Sequence, residues 1–373
     1  MTFPLNPVFI GSDRYREAAF GQNHPLAISR VETVYDLCTM LGWLPDASFL
    51  QSPVASFDEL TRFHCPAYAD ALRDVSASGT VSPLQRQRYH FCTMENPVFP
   101  GLFERASTSV GGSIRAARYA AEGRVAYHPS GGTHHGRPDR ASGFCYFNDP
   151  VFAILTLLDQ GISPVAYVDL DAHHGDGVQD AFADDDRVWT VSTHEEDRWP
   201  HTGLRVDHGG GRSLNLPVPA GLNDTELQFL MQEEILPFLE TVVPKAIVIT
   251  MGADALQGDP LTRLELSNCA LCNAVMTLIS AYPSAVVLGG GGYNPWTLAR
   301  CWTAMWGMIA GKAMPDRLPD AARRLLGGLD CDLVDEEDVL PEWTTTLLDP
   351  PNEGDIRDSV RALAEFAPVT GAD

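Results

Sequence analysis

The chain has 373 residues, with 26 Lys+Arg against 49 Asp+Glu and a formal net charge of −23. Its 45% hydrophobic and 20% charged residues are those of a globular protein, which excludes disorder as a description of the whole. An acidic balance of this size repels phosphate and disfavours nucleic-acid binding; its simplest role is solubility, and its sharper one is attraction of a cationic substrate. No run approaches 18 consecutive apolar residues, so no membrane-spanning helix is expected, and residues 1–6 open no secretory leader. The eight cysteines (38, 65, 92, 145, 269, 272, 301 and 331) are scattered and mostly in apolar surroundings. That pattern points to buried thiols in a reducing, cytoplasmic setting. Cys269 and Cys272 fall in a helical pattern with Leu266, Leu271, Val275 and Leu278, and no second pair completes a zinc knuckle, so they read as core.

In chain order, short β-branched or apolar runs bounded by Gly, Pro or Asp occur at 8–11, 124–127, 164–170, 187–193, 245–251 and 285–288. Helical patterns lie between them, at 150–158 and 224–243. Strands alternating with helices predict an α/β fold in which a mostly parallel β-sheet is flanked by helices on both faces. Length alone allows two or three domains, or one large sheet. From Lys312 the texture turns to Pro, Asp, Glu and Arg. Residues 313–373 are expected to form an acidic helical extension packed on a main unit of 1–312, with frayed last residues. The predicted strands end in polar groups: His134 and His135, Asp169, Asp171 and His173, His194, Asp254, and the Gly-rich run to Tyr293. In open α/β sheets the ligand crevice lies outside the carboxyl ends of the strands, so these groups should gather there.

Asp169, Asp171 and His173 are spaced i, i+2, i+4 and would share one face if the strand ran through them. Asp-x-His can offer one oxygen and one nitrogen to a divalent metal, and Asp254, ending the next strongly apolar strand, is the candidate third ligand. Single carboxylates after a strand are more often turn formers, but such a cluster argues for a metal site. His134 and His135, flanked by glycines, suit proton transfer, and Asp169 and Asp176 are available to orient them. Four glycines precede Tyr293 without a GKS/GKT ending or a GxGxxG frame. The favoured reading is a strand end that brings the Tyr293 phenol over a developing oxyanion.

His134-His135, Ser142-Gly-Phe-Cys-Tyr-Phe-Asn-Asp149, Asp169-x-Asp-x-His-His-Gly-Asp-Gly177, Gly252-Ala-Asp254, and the tetraglycine–Tyr293 run followed by Ala299-Arg-Cys-Trp302 resemble the zinc-dependent histone deacetylase family. The class I and acetoin-utilisation branch is the nearest match, and the likeness runs from Phe20-Gly-Gln-Asn-His-Pro25 past Trp302. The resemblance implies the arginase/deacetylase fold with a single parallel sheet and hydrolysis of an N-acetyl amide. It implies zinc on Asp171, His173 and Asp254. His135, paired with Asp176, is the implied general base and then proton donor to the amine. His134, paired with Asp169, is implied to act electrostatically, and Tyr293 to donate to the carbonyl oxygen. Phe144 and Trp199 would form the slot for the lysine stem, with Gly143 at its wall and Leu261 near the rim. Potassium is implied on Asp169, Asp171, His173, Ser192 and Thr193. Arg30 resembles the arginine of an internal acetate-exit channel. The sequence departs from the family pattern at Trp199, where Phe is usual in class I, and at Glu95, where an Asp grips the peptide backbone.

The leading expectation is therefore an acyl-lysine protein deacylase. An amidohydrolase for acetylpolyamines or another small acylated amine is the nearest alternative. A two-manganese ureohydrolase would need further carboxylates for its second metal, yet Leu256 stands two residues after Asp254. A silent binding module should have lost a ligand, a His or the Tyr, and all are present. Oligomeric state stays open.

Overall fold

The computed structural model describes residues 6–17, 20–21, 24–45 and 48–365. Residues 1–5, the middle of the 20–25 motif (22 and 23) and the end of the C-terminal extension lie outside the described residues. Among the described residues eight strands form one sheet in the order β2-β1-β3-β8-β7-β4-β5-β6, every neighbouring pair parallel. They are β1 (Val8–Gly11), β2 (Phe49–Gln51), β3 (Val125–His128), β4 (Val165–Asp169), β5 (Val188–Glu195), β6 (Ser213–Val218), β7 (Ala246–Thr250) and β8 (Ala285–Leu288).

Alternation along each strand sends successive side chains to opposite faces. Val125, Val168, Ile249 and Val287 enter the core under the helices Val31–Met40, Asn268–Ala281 and Pro295–Ile309. Ala126, Tyr167, Val248 and Val286 enter a second core with the helices Leu102–Ala121 and Asp149–Asp159. Burial on both faces explains why these strands read as continuous apolar runs and not as alternating ones.

All six predicted runs form strands, with ends shifted by one or two residues at four of them. The sequence reading missed the two edge strands, β2 and β6. β2 is three residues long, and β6 carries Pro217, which an edge position tolerates because one side of the ladder is unpaired. The helical pattern at 224–243 is interrupted by a π turn at Met231–Ile235 and stops at Val242, where Val243 turns left-handed (φ 50°). Beyond Lys312, Leu318, Ala322, Leu326, Trp343, Leu347 and Val360 bury themselves in the first core. No helix among the described residues is long and apolar enough to cross a membrane.

Candidate active site

The strand carrying Asp169 stops at that residue, so the expected extended face through His173 is not what forms. The chain turns instead. Asp169 Oδ1 accepts the amide of Asp171 at 3.1 Å, and Asp171 Oδ1 accepts that of His173 at 2.9 Å. The short carboxylates satisfy local backbone donors and thereby coil the segment. This coil still gathers the expected groups. His173 Nδ1 lies 3.1 Å from Asp171 Oδ1 and 2.9 Å from Asp254 Oδ2. Asp171, His173 and Asp254 each offer one ligand atom within 4.8 Å of the others.

Asp171 and Asp254 are buried almost completely, and two carboxylates so close in a low-dielectric site demand a cation. Glycines line the cluster: a Cβ at Gly252 would overlap Asp171 Oδ2, and one at Gly291 would overlap Asp254 Oδ2. The donor set of two carboxylate oxygens and one imidazole nitrogen fits a divalent metal with positions left for water and substrate.

Two His–Asp pairs stand beside this cluster. His134 Nδ1 is 2.6 Å from Asp169 Oδ2, which also accepts the Tyr167 hydroxyl at 2.6 Å. His135 Nδ1 is 2.7 Å from Asp176 Oδ1, whose other oxygen is paired with Arg137. The two imidazoles lie 3.9 Å apart, centroid to centroid. Their environments push them in opposite directions. Burial lowers His134's affinity for a proton, but Asp169 and Asp171 outweigh it and push its pKa up to about 9. Burial together with the charge of His134 pushes His135 down to about 3. These environments favour the protonated form of His134 and the neutral form of His135. Asp176, held down to about 2 despite its burial by His135 and Arg137, remains ionised to orient its partner.

Tyr293 closes the opposite wall. Its amide donates to Asp259 Oδ2 at 2.7 Å, and its phenol, raised well above the ordinary range by burial and by Asp254 and Asp171, stays protonated as a donor. Gly143 and Phe144 both take left-handed backbone (φ 55° and 66°), uncommon for a phenylalanine. Glu95 holds this turn by accepting the Gly143 amide, and Ser142 and Cys145 bond across it at 2.9 and 3.1 Å. A Cβ on Gly143 would run into His135 and Trp199. Trp199 packs edge-on against His135 at 4.6 Å, and Phe144 stands edge-on to Tyr293 at 5.8 Å.

The Glu95 carboxylate is thus engaged by the turn that carries Gly143 and Phe144. Leu261 is half-buried, and its amide bonds Asp259. Ser192 and Thr193 sit on β5 beside Asp169, with Thr193 Oγ1 3.4 Å from the Asp169 carbonyl. Arg30 donates to the Gly290 carbonyl at 2.6 Å, behind the site.

Three contributors escaped the sequence reading. Asp149 accepts from the amides of Gly132 and Thr133 and from the hydroxyls of Ser113 and Thr133, and so shapes the loop that carries His134 and His135. Asn148 donates to the carbonyls of His134 and Gly136. Asp259 fixes the Tyr293 amide. In the sequence the first two only close the Ser142–Asp149 motif, with no role of their own, and the third stands in a Gly-Asp-Pro run that carries no chemical signal.

A single cavity of about 130 Å³ is lined by Phe144 and Tyr293, by His134, His135, Asp171 and His173, and by Arg30 and Arg105. The arrangement offers a donor set for a metal, two carboxylate-paired imidazoles and a phenol to one small region, which is the equipment for attacking an amide carbonyl with water.

Residues 24–309 match the family described as histone deacetylase domain. Histone deacetylase 8 of Xenopus tropicalis is 32% identical over 324 residues, covering 85% of this chain and 87% of that protein. Histone deacetylase 1 of Oryza sativa subsp. japonica is 37% identical over 306 residues, covering 80% of this chain; that protein is longer, and the chain spans 59% of it. Among solved structures, an HDAC homolog from Aquifex aeolicus superposes with a TM-score of 0.93 at 33% identity, covering 97% of this chain and 99% of that one. An HDAC homolog complexed with SAHA gives 0.92 at 34% identity, with the same coverage.

Proposed function

This chain belongs to the histone deacetylase family of hydrolases, and we propose from that premise that it removes acetyl or another short acyl group from the side-chain amine of lysine in proteins. The observation that carries the reading is the convergence of the Asp171–His173–Asp254 donor set, two His–Asp pairs and the Tyr293 phenol on one cavity. Asp171, His173 and Asp254 would hold zinc, which when bound supplies Lewis acidity toward the carbonyl and a more acidic water.

The remaining work falls to the chain. His135, neutral and held by Asp176 through Nδ1, leaves Nε2 to take the proton of the attacking water and return it to the departing amine. His134, held as a cation by Asp169, offsets negative charge that grows on the acyl carbon's oxygens. The Tyr293 O–H donates to the carbonyl oxygen as it gains charge. Phe144 and Trp199 exclude water around the aliphatic stem, and the close approach at Gly143 keeps that slot narrow. Potassium beside Asp169, Asp171, His173, Ser192 and Thr193 belongs to this reading through family resemblance.

Within the proposal, residues 1–312 are the catalytic unit and 313–373 a brace. Cys331 Sγ contacts the Tyr293 carbonyl at 3.6 Å, and the Trp343 ring packs where a Cβ on Gly258 would stand. A cytoplasmic setting accords with eight free cysteines.

A second reading has its own support. The Glu95 carboxylate, which would grip a peptide backbone, is engaged by the Gly143 amide, which favours a small acylated amine such as an acetylpolyamine. A panel of acetyl-lysine peptides and acetylpolyamines distinguishes the two. The protein reading expects kcat/KM for a peptide at least about tenfold above that for any acetylpolyamine, a difference of one or two backbone hydrogen bonds. The opposite order would establish the small-amine reading, and no acetate release from either would defeat both.

A further inference from the structure

The cavity wall holds two cations that take no part in the attack of water, Arg105 and Arg30, the latter also the residue that resembles the arginine of an acetate-exit channel. Arg30 spends one N–H on the Gly290 carbonyl and lies over the Trp302 ring at 5.2 Å, while its Nε is buried without a partner among the described residues. Arg105, on the helix Leu102–Ala121, lies over the rings of Tyr15 (4.8 Å) and Phe20 (6.0 Å); among the described residues its one hydrogen bond is a long contact of 3.5 Å to the Glu17 carbonyl. Neither guanidinium has a carboxylate within salt-bridge distance among the described residues, and Glu17 and Glu32 act on Arg105 only from further away. The Tyr15 hydroxyl, on a side chain 6% exposed, is also buried without a partner among the described residues. Phe99, Leu102 and Ala106 make up the neighbouring wall, and the space is continuous with the catalytic centre.

Leaving the buried Arg30 Nε unpaired, and two guanidinium charges without a carboxylate, is costly unless something supplies the acceptor. The missing partner must be an anion with oxygen acceptors, and its path from the reacting carbonyl must be lined by carbon, as the wall here is. Planar guanidinium donors suit a carboxylate in particular. We propose that the cavity accepts acyl groups ending in a second carboxylate, of succinyl or glutaryl type, with Arg105, Arg30 and the Tyr15 hydroxyl as the recognition groups. The inference rests on the deacylase reading and names its acyl class. The reaction keeps the same balance: water oxygen bonds to the acyl carbon, the C–N bond breaks, and the proton passes to nitrogen. The products are the lysine amine and a dicarboxylate. A neutral acyl chain of equal length would leave the guanidinium groups facing carbon and lose that recognition.

The test uses one lysine peptide bearing acetyl, butyryl, valeryl, succinyl or glutaryl groups, with wild-type protein, Arg105→Gln and Arg105→Lys. In the wild type, succinyl over butyryl, or glutaryl over valeryl, is expected to be favoured in kcat/KM by about tenfold, the size of one charge-assisted hydrogen bond. In Arg105→Gln that ratio should fall to about one, and in Arg105→Lys it should be partly kept. The ratio is internal to each variant, so a partly unfolded preparation does not alter it. Calorimetry with glutarate and pentanoate gives a readout independent of turnover, with glutarate binding the wild type more tightly and losing that advantage in Arg105→Gln. If the wild type cleaves the acetyl peptide but treats charged and neutral chains alike, or if Arg105→Gln leaves the ratio unmoved, this inference is overturned and the deacylase reading stands. The first of these results would also mean the pocket serves only the departing carboxylate. If no acyl peptide is cleaved, the deacylase reading itself fails.

Discussion

Replacing Tyr293 with phenylalanine is expected to lower kcat by about 10²–10³-fold, the usual cost of removing one preorganised oxyanion donor. The substitution deletes a single O–H and keeps the ring that stands edge-on to Phe144. The contacts that place the residue are made by its backbone: the amide to Asp259 and the carbonyl to Cys331. Thermal unfolding should therefore be unchanged, and the loss should appear in kcat more than in KM, as for a bond made chiefly in the transition state. Activity close to that of the wild type would remove Tyr293 from the chemistry.

The two histidines separate by their environments. His135→Ala is expected to cost about 10³-fold in kcat, within the range for a positioned general base that also serves as acid. His134→Ala should retain at least about tenfold more activity than His135→Ala, because a group already protonated cannot accept the water's proton and contributes through its charge. The difference originates in burial and neighbours. His134 faces Asp169 and, at 3.8 Å, Asp171, so its cation is favoured. His135 has Asp176 alone, shared with Arg137, and a cation 3.9 Å away. If His134→Ala proves the more damaging, the assignment of base and cation must be exchanged. Steady-state kinetics on an acetyl-lysine peptide, beside circular dichroism to show that both variants fold, decide the matter.

What the sequence made legible follows the physics of each element. Strands buried on both faces advertise themselves as apolar runs, and so 164–170, 245–251 and 285–288 were readable. The edge strand Ser213–Val218 alternates Ser, Leu, Asn, Leu before Pro217 and lacks that signal. The helix Leu102–Ala121 was missed because Ser, Thr and Gly fill its middle. The structure gives the reason: Gly111 meets the Pro53 carbonyl and Gly112 meets the His128 ring, where any side chain would overlap. At the site, residues whose chemistry is rare in combination stood out, including Asp171, His173, Asp254 and the two histidines. The groups that hold them did not. Asp149 and Asp259 act by accepting backbone amides, a role any turn carboxylate performs, and only the fold shows which amides these are. The strand geometry first ascribed to Asp169, Asp171 and His173 was wrong for the same reason, since local carboxylate–amide bonds coil the segment after β4.

The central claim is a one-metal hydrolytic centre on Asp171, His173 and Asp254, and titration of metal into chelator-treated protein tests it most directly. Acetate release from an acetyl-lysine peptide is expected to return with added zinc and to saturate at about one ion per chain, with Asp254→Ala failing to recover. Recovery that requires two ions per chain, or full activity after the metal has been stripped, would contradict the account.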